Sequence, residues 1–429
     1  PMPAPLPRDT APAQTRGALY LAARGLDQIT QRAQQLHHAI AAVPFGALAP
    51  LPGIRAGSET ARMVHDGITD GVYATVRAST QAVFGLAGMA VREWERQVPA
   101  SPLAPHPQRD LAVSALAGLV GDDLAARRNP LAPRMGFYRN GQRLPMDPAA
   151  LADPHVQCRG RLVVFLHGLA CNESAWDFYA DAAEPETHPY GLRLETELDC
   201  TALYLRYNTG LHISRNGARL SRLLTRLCQR WPVKVRDIVL VGHSMGGLVA
   251  RAAALAGESQ QAPWTDALSQ VICLGSPHRG APLARWVSHG SRLLNRFTLT
   301  RPIAEVLEVR SVGIRDLDRG DVRDEDWRPR AASGPLPLPP RIPRVRYHFI
   351  GSTLAHPGQE WMGHLIGDGL VQVPSATAAA LADADVALLY RCHHLRLLNH
   401  PAIYGLIRAA LQSPAQADCL RTSVRKSRR

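Results

Sequence analysis

Residues 238–250 read Ile-Val-Leu-Val-Gly-His-Ser-Met-Gly-Gly-Leu-Val-Ala. The four apolar residues at the start predict a strand buried on both faces, and the apolar residues after the glycines predict a helix. Between them stands Gly-x-Ser-x-Gly, a pattern that puts a serine on a sharp turn from strand to helix. Such a turn exposes a hydroxyl above the sheet, which predicts Ser244 as a nucleophile. The N–H of Met245, at the start of the helix, is predicted to stabilise a developing oxyanion.

Apolar runs of strand length alternate with helical segments on both sides of this stretch. The predicted strands are Leu162–Leu166, Ala202–Leu205, Ile238–Val241, Val271–Leu274, Val345–Ile350 and Val386–Tyr390, and the predicted helices include Asn216–Arg230, Gly246–Ala256, Ser375–Ala382 and Pro401–Leu411. Strands that are apolar at consecutive positions and separated by helices predict a mostly parallel, doubly wound α/β sheet. A tight turn at Asn140-Gly141 predicts an antiparallel hairpin at its start.

The second donor of the oxyanion hole is expected from an earlier junction of strand and loop. Residues 163–169 read Val-Val-Phe-Leu-His-Gly-Leu, so that Gly168 lets the chain turn just after a buried strand. The N–H of Leu169 is the predicted donor. His167 is interpreted as a residue that orients this loop rather than as a base.

A base and an acid are expected after the serine, each on a loop behind a later strand. His394 follows the strand that ends at Tyr390, and Asp368 stands between two glycines that allow a carboxylate to be aimed. His394 would take the serine proton while Asp368 fixes the imidazole. The alternatives for the base are His393 and His400, and those for the acid are Asp316, Asp318 and Asp383.

The first 130 residues carry a different pattern. A Pro-rich start precedes apolar stripes at helical spacing, beginning with Leu19, Ala22 and Leu26 in one segment and Val64, Ile68 and Val72 in a second, and a third, weaker helix covers Leu111–Leu124. These stripes are compatible with helix-on-helix packing or with docking on a membrane, a lipid body or a partner. We therefore expect an N-terminal helical module over 1–130, a catalytic domain over 131–414 with a cap or lid insertion over 281–344, and a basic tail over 415–429.

Composition excludes several classes of protein. With 429 residues, 46% hydrophobic and 20% charged, the chain has the material for a large core, and no charge-free apolar run is long enough to span a bilayer. The net charge is +13, but its arginines are scattered along the chain, so no nucleic-acid partner is expected. Seven cysteines without CxxC spacing fit reduced thiols and give no zinc signature. Without a visible signal peptide, a cytoplasmic location is expected, with contact to membranes or lipid bodies through the N-terminal helices. The oligomeric state stays open.

Together these motifs resemble the α/β-hydrolase superfamily, and specifically bacterial serine lipases and esterases of the triacylglycerol-lipase and GPI-inositol-deacylase-like group. The resemblance rests on Leu166–Leu169, Gly242–Gly247, Gly275–Pro282, Gly367–Val371 and His394-Leu395, and it spans residues 135–411. It implies a triad of Ser244, Asp368 and His394, with Leu169 and Met245 as oxyanion donors. Secreted relatives hold a structural calcium through an Asp two residues after the catalytic histidine. Arg396 stands at that position, so no calcium site is expected. No other metal and no cofactor is expected either.

The expected activity is hydrolysis of carboxylic esters, of lipid, polyester or small soluble type, through an acyl-serine intermediate. Two alternatives stay open. One is an acyltransferase that uses the same triad, and the other is a protein that binds lipid surfaces or granules and has a vestigial site. A serine nucleophile argues against halide and epoxide chemistry, which generally uses a carboxylate in this fold.

Overall fold

A computed structural model describes residues 10–48, 55–97, 106–151, 157–281, 311–328, 341–358, 367–377 and 384–412. Its helices are α1 (Ala11–Leu48), α2 (Arg55–Gln97), α3 (Pro107–Ala126), α4 (Pro148–Leu151), α5 (Tyr190–Glu197), α6 (Ile213–Arg230), α7 (Met245–Ser259), α8 (Val312–Arg319), α9 (Asp324–Trp327), α10 (Val373–Ala376) and α11 (Pro401–Gln412). Its strands are β1 (Gly136–Arg139), β2 (Gln142–Arg143), β3 (Arg161–Leu166), β4 (Thr201–Arg206), β5 (Asp237–His243), β6 (Leu268–Leu274), β7 (Arg346–Thr353) and β8 (Asp385–Tyr390).

The chain divides into two compact units. Of the described residues, the first unit contains 10–48, 55–97 and 124–132, and the second contains the remainder, including 106–123. The last residues of α3 therefore belong to the first unit, while most of that helix belongs to the second.

One mixed sheet of eight strands organises the second unit, in the order β2-β1-β4-β3-β5-β6-β7-β8. β1 pairs antiparallel with β2 and with β4, and all other pairs are parallel. Asn140 and Gly141 both have positive φ, which is what a tight hairpin turn between β1 and β2 requires. The predicted strands are all present, and the sheet with its flanking helices confirms the predicted α/β-hydrolase fold.

Alternate residues of β3 face opposite layers of core. Leu162, Val164 and Leu166 belong to a cluster completed by α6 and α7. Val163 and Phe165 belong to a second cluster, with Trp176, Tyr190 and side chains of α11. Because both faces of the strand are covered, it is apolar at consecutive positions, as parallel sheets require. The carboxyl ends of the central strands are thereby fixed in a rigid frame.

In the first unit, α1 and α2 form an antiparallel hairpin with several polar contacts between the helices. Arg16 pairs with Glu95 near one end, Gln34 donates to Asp70 at 2.6 Å, and a ring nitrogen of His38 lies 2.8 Å from Asp70. Of the predicted apolar stripes, Leu26 of α1 is 43% exposed, whereas Phe84 and Val91 of α2 are half-buried. No described helix is long and apolar enough to cross a membrane.

Parts of three predicted regions lie outside the described residues. They are the Pro-rich start up to residue 9, residues 282–310 and 329–340 of the expected cap, and the basic tail. Within the expected cap, the described part contains α8 and α9. The predicted helix Ser375–Ala382 overlaps α10 and then runs beyond the described residues.

Candidate active site

Ser244 occupies a strained turn between β5 and α7. Its φ of 55° and ψ of −123° lie in a region that non-glycine residues rarely adopt. Such strain persists only where the surroundings enforce it, and it concentrates at functional sites. The N–H of Ser244 donates to the carbonyl of Leu274 at 2.8 Å, which anchors the turn to the end of β6.

The two glycines of the motif make this turn sterically feasible. A Cβ at position 242 would lie 2.3 Å from the nitrogen of Gly247. A Cβ at position 246 would lie 2.2 Å from the carbonyl oxygen of Leu166. Both obstacles are backbone atoms that cannot rotate away, so the spacing of the motif follows from the close approach of strand, turn and helix.

The loop after β3 lies directly against the nucleophile. A Cβ at position 168 would come within 3.1 Å of the Cβ of Ser244, so Gly168 allows the loop that carries Leu169 to pass close by. Met245 stands in the first turn of α7, where backbone N–H groups have no acceptor within the helix. The two predicted oxyanion donors thus belong to segments that border Ser244.

His167 holds this loop in shape. Its Nδ1 lies 2.9 Å from the carbonyl oxygen of Gly168, and its Nε2 accepts from the N–H of Tyr207 at 3.4 Å. The ring stacks on Tyr207 with centroids 4.3 Å apart, and the Tyr207 hydroxyl donates to the His167 carbonyl at 2.7 Å. Burial lowers the pKa of His167 to about 3, so the ring is neutral. These contacts fix the conformation of the loop after β3.

Thr209 is a site residue that sequence reasoning missed. Its hydroxyl accepts from the N–H of Ala170 at 3.2 Å, and Ala170 is held at a φ of 60°. Thr209 is buried and follows β4 in the stretch Tyr204–Gly210. Its place after a predicted strand is visible in the sequence, but periodicity does not reveal which backbone N–H a threonine will meet.

His394 and Asp368 form a buried pair. Nδ1 of His394 lies 2.8 Å from Oδ2 of Asp368, and the His394 N–H donates to the Asp368 carbonyl at 3.1 Å. The other carboxylate oxygen, Oδ1, accepts from the N–H groups of Leu370 at 3.0 Å and Val371 at 2.8 Å. Burial alone would raise the pKa of Asp368, but the hydrogen bonds from His394 and these N–H groups outweigh it and lower the pKa. The carboxylate is therefore ionised and fixes Nδ1 of His394 as a donor.

Two further residues, His243 and Gly275, contact His394. Nε2 of His243 donates to the carbonyl of His394 at 3.1 Å, and the two rings lie 4.7 Å apart. Burial lowers the pKa of His243 to about 3, which keeps it neutral. Gly275, at a φ of 59°, leaves room for the imidazole, because a Cβ there would lie 3.1 Å from Cε1 and Nδ1 of His394. Neither role was predicted.

The residues that the sequence leaves as alternatives for the base and the acid make other contacts. His393 makes an edge contact with the ring of Tyr179, and Nδ1 of His400 accepts from the N–H of Ala402 at the start of α11. Asp316 is buried in α8, where it accepts from the N–H of Ile213 at 2.8 Å and lies 3.1 Å from Nδ1 of His212. Asp318 also lies on α8, and Asp383 lies outside the described residues.

Thiols do not compete with the serine as nucleophiles in the described part of the chain. The cysteines there are unpaired, and burial raises the pKa of Cys171 to about 11 and that of Cys273 to about 12. A thiol with such a pKa is almost fully protonated near pH 7 and is a poor nucleophile. The described part of the chain also contains no group of three or more His, Cys, Asp and Glu side chains that could hold a metal ion. The Arg396 guanidinium lies 5.3 Å from the centre of the Tyr179 ring.

Comparison with family models gives a match over part of the chain. Residues 157–333 match the family model of the PGAP1-like alpha/beta domain, which confirms the predicted resemblance for that part of the chain. The matched range includes Ser244 and Leu169 but ends before Asp368 and His394. No protein of curated function matches the sequence.

Several solved structures are similar at low identity. Aspergillus fumigatus lipase B is 14% identical with a TM-score of 0.34; the match covers 59% of this chain and 52% of that one, so the chain spans about half of the lipase. Staphylococcus hyicus lipase is 12% identical with a TM-score of 0.34, covering 62% and 95%. The Thermogutta terrifontis esterase Est2, solved with butyrate bound, is 13% identical with a TM-score of 0.31, covering 65% and 88%.

Proposed function

We propose that the chain is a serine hydrolase that cleaves carboxylic esters through an acyl-serine intermediate. The observation that carries the proposal is the buried pair of His394 and Asp368, 2.8 Å apart, at the same end of the sheet as the strained serine turn. Because Asp368 accepts from Nδ1, the neutral imidazole has its acceptor at Nε2, where a base for a serine hydroxyl needs it.

The proposed reaction has two stages. Nε2 of His394 takes the hydroxyl proton of Ser244 as Oγ attacks the acyl carbon, and the carbonyl oxygen becomes an oxyanion that accepts from the N–H groups of Leu169 and Met245. His394 then gives the proton to the departing alcohol, which leaves an acyl-serine. Water, deprotonated by His394, attacks this ester. The bond between Oγ and the acyl carbon then breaks, Oγ of Ser244 takes the proton back from His394, and the carboxylic acid is released. Asp368 stays ionised throughout and stabilises the imidazolium.

Replacement of the nucleophile tests the proposal. Ser244→Ala removes the attacking oxygen, so turnover of a p-nitrophenyl acyl ester is expected to fall at least 1,000-fold, as loss of a triad member does elsewhere. The matched control is Ser269→Ala, which removes a hydroxyl that bonds Asp237 at the opposite end of the sheet. Near-wild-type turnover by a folded Ser244→Ala variant would overturn the assignment.

Two measurements distinguish the possible substrates and the alternative activities. A series of acyl esters of rising chain length, below and above their solubility limits, distinguishes a preference for aggregated lipid from one for soluble esters. A competing alcohol or amine distinguishes hydrolysis from acyl transfer, since a transferase forms a new ester or amide in place of the free acid. A folded chain without turnover of any ester would favour the hypothesis of a vestigial site.

A further inference from the structure

One face of α3 lies directly against the loop that carries Leu169. The two segments meet at Gly118, where a Cβ would lie 3.0 Å from the Cβ of Ala170 and 3.1 Å from its Cα. Ala170 directly follows Leu169, the proposed oxyanion donor. Because part of the obstacle is backbone, a side chain at position 118 could be accommodated only if the loop moved by a few tenths of an ångström. The lack of a side chain at Gly118 therefore sets how closely α3 and this loop approach.

Ala170 is also held by Thr209. Its N–H donates to the Thr209 hydroxyl at 3.2 Å, and its φ is 60°. Non-glycine residues rarely adopt such a φ, and it persists only where the surroundings enforce it. Gly118 and Thr209 are two of these surroundings, so the conformation of the loop beside Leu169 depends on both.

The residues on either side of Thr209 are attached to α3 as well. Nδ2 of Asn208 donates to the carbonyl of Gly121 at 2.8 Å. Gly210 passes so close that a Cβ there would lie 2.3 Å from the carbonyl oxygen of Ala117. The same helix therefore supports Ala170 directly and supports the residue that binds the Ala170 N–H.

The backbone of α3 is adapted to these contacts. Val120, with φ −131° and ψ 19°, departs from helical geometry. On either side of it, the carbonyl of Gly118 accepts from the Ser311 hydroxyl at 2.6 Å and that of Gly121 accepts from Asn208. Helices bend sharply where a side chain from elsewhere inserts into their hydrogen-bond ladder. Contacts from other segments thus hold α3 in place at the point where it meets the loop.

Both glycines of α3 lie at these contacts. Gly118 meets Ala170, and a Cβ at Gly121 would lie 2.1 Å from Oδ1 of Asn208. In a helix, glycine is less favourable than alanine because it loses more backbone freedom on folding. The two glycines therefore weaken the helix, and what they provide is the close approach of α3 to two loops.

We propose that Gly118 is a positioning residue for the oxyanion hole, because its contact with Ala170 fixes the place of the Leu169 N–H relative to Ser244. Gly118 does not touch the substrate in this proposal and acts only through the loop. The proposal rests on the proposed function, since an oxyanion donor has a role only if the serine attacks an acyl group.

Gly118→Ala tests the proposal on the full chain. The new methyl group displaces the loop slightly, so kcat for a soluble p-nitrophenyl ester is expected to fall about fivefold to tenfold, less than the roughly 100-fold to 1,000-fold loss on removal of a whole oxyanion donor. KM is expected to change less than about twofold, because the displaced N–H serves the transition state. Inhibition by phenylboronic acid, which forms a tetrahedral adduct with a serine hydroxyl, is expected to weaken by a similar factor as kcat.

Two control variants and a stability measurement separate positioning from a general effect on the fold. Gly405→Ala places the same methyl group in α11, where no atom lies within 4 Å. Leu119→Ala shortens a side chain of α3 that is 53% exposed. Both controls are expected to keep the wild-type kcat. The urea midpoint of Gly118→Ala is expected to equal or exceed that of the wild type, because alanine favours the helix.

The positioning role is overturned if folded Gly118→Ala keeps the wild-type kcat and inhibition. It is overturned equally if KM rises while kcat is unchanged, or if kcat falls only together with the urea midpoint. A folded wild type that turns over no ester contradicts the proposed function, and the role of Gly118 fails with it. An active wild type whose kcat does not respond to Gly118→Ala contradicts the positioning role alone.

Discussion

The residue between Gly242 and Ser244 links the two halves of the candidate site. His243 belongs to the nucleophile turn, yet its Nε2 donates to the backbone of the loop that carries His394. His243→Leu removes this bond, which is worth about 1 kcal/mol. We expect kcat for a soluble ester to fall about fivefold to tenfold with little change in KM, because the base is misplaced while substrate contacts remain.

His243→Gln and His393→Leu complete this experiment. Glutamine offers an N–H that can reach the same carbonyl, so partial recovery of kcat is expected. His393 lies beside His394 in sequence but contacts Tyr179, and its replacement is expected to leave kcat unchanged. A wild-type kcat for His243→Leu would contradict the positioning role, and a collapse for His393→Leu would reopen the choice of base.

Gly275 gives a second test at the residue scale. Alanine there must adopt a φ of 59° and push a methyl group to 3.1 Å from the His394 ring and 2.7 Å from Leu397. The left-handed backbone alone costs about 1–2 kcal/mol. Gly141→Ala is the matched control, since its φ is 71° but no atom lies within 4 Å of the new methyl group. Both variants are expected to lose stability in urea, and only Gly275→Ala to lose most of its kcat.

The buried histidines predict how stability depends on pH. Burial lowers the pKa of His167 and of His243 to about 3, against about 6.5 in an unfolded chain. Each therefore contributes stability that is present above pH 6.5 and is lost as the pH falls toward 3, with a slope of about 1.4 kcal/mol per pH unit. In urea titrations between pH 6 and 4, His167→Gln is expected to show a slope shallower by that amount. An unchanged slope would mean that His167 is protonated in the folded state.

At the scale of elements, the sequence predicted both the strands of the sheet and the presence of the helices of the first unit. Strands that are buried on both faces are recognisable in the sequence as continuous apolar runs, such as Leu162–Leu166. The motifs at the strand ends located Ser244, Leu169, Asp368 and His394, and the assignment of these residues as triad and oxyanion donors stays a prediction. The supporting contacts of His243, Thr209 and Gly275 depend on which backbone atoms approach from distant parts of the chain, which no local pattern encodes.

The hairpin shows where periodicity stops being informative. An apolar stripe identifies one side of a helix but not the partner that the side meets. The contacts between α1 and α2 include those of Arg16 with Glu95 and of Gln34 with Asp70, pairs that lie 79 and 36 residues apart in sequence. Such polar contacts at long range have no signature in either helix alone, so they emerge only from the folded hairpin.

At the scale of the molecule, the boundary between the two units determines which truncated chains keep the contacts of the sheet. The sequence predicts a domain boundary after residue 130, because prolines lie there and the helical apolar spacing gives way to alternating strands and helices. In the structure, residues 106–123 belong to the unit that holds the sheet. Asp110 pairs with Arg206 at 3.0 Å, and the carbonyl of Gly121 accepts from Asn208 at 2.8 Å.

Truncation of the chain tests this boundary. A chain that starts at residue 105 keeps Asp110, Gly118 and Gly121, whereas one that starts at 131 leaves Arg206, Asn208 and Ser311 without these partners. Ala117 of α3 is fully buried, so removal of the helix also exposes the apolar surface packed around it, at about 25 cal/mol per Å². A loss of a few kcal/mol is a large part of the about 5–15 kcal/mol that stabilises a typical protein. We expect the longer chain to remain soluble with near-wild-type turnover of a soluble ester, and the shorter one to unfold at lower urea or to aggregate. Equal stability and turnover of the two chains would show that α3 contributes nothing to the catalytic unit.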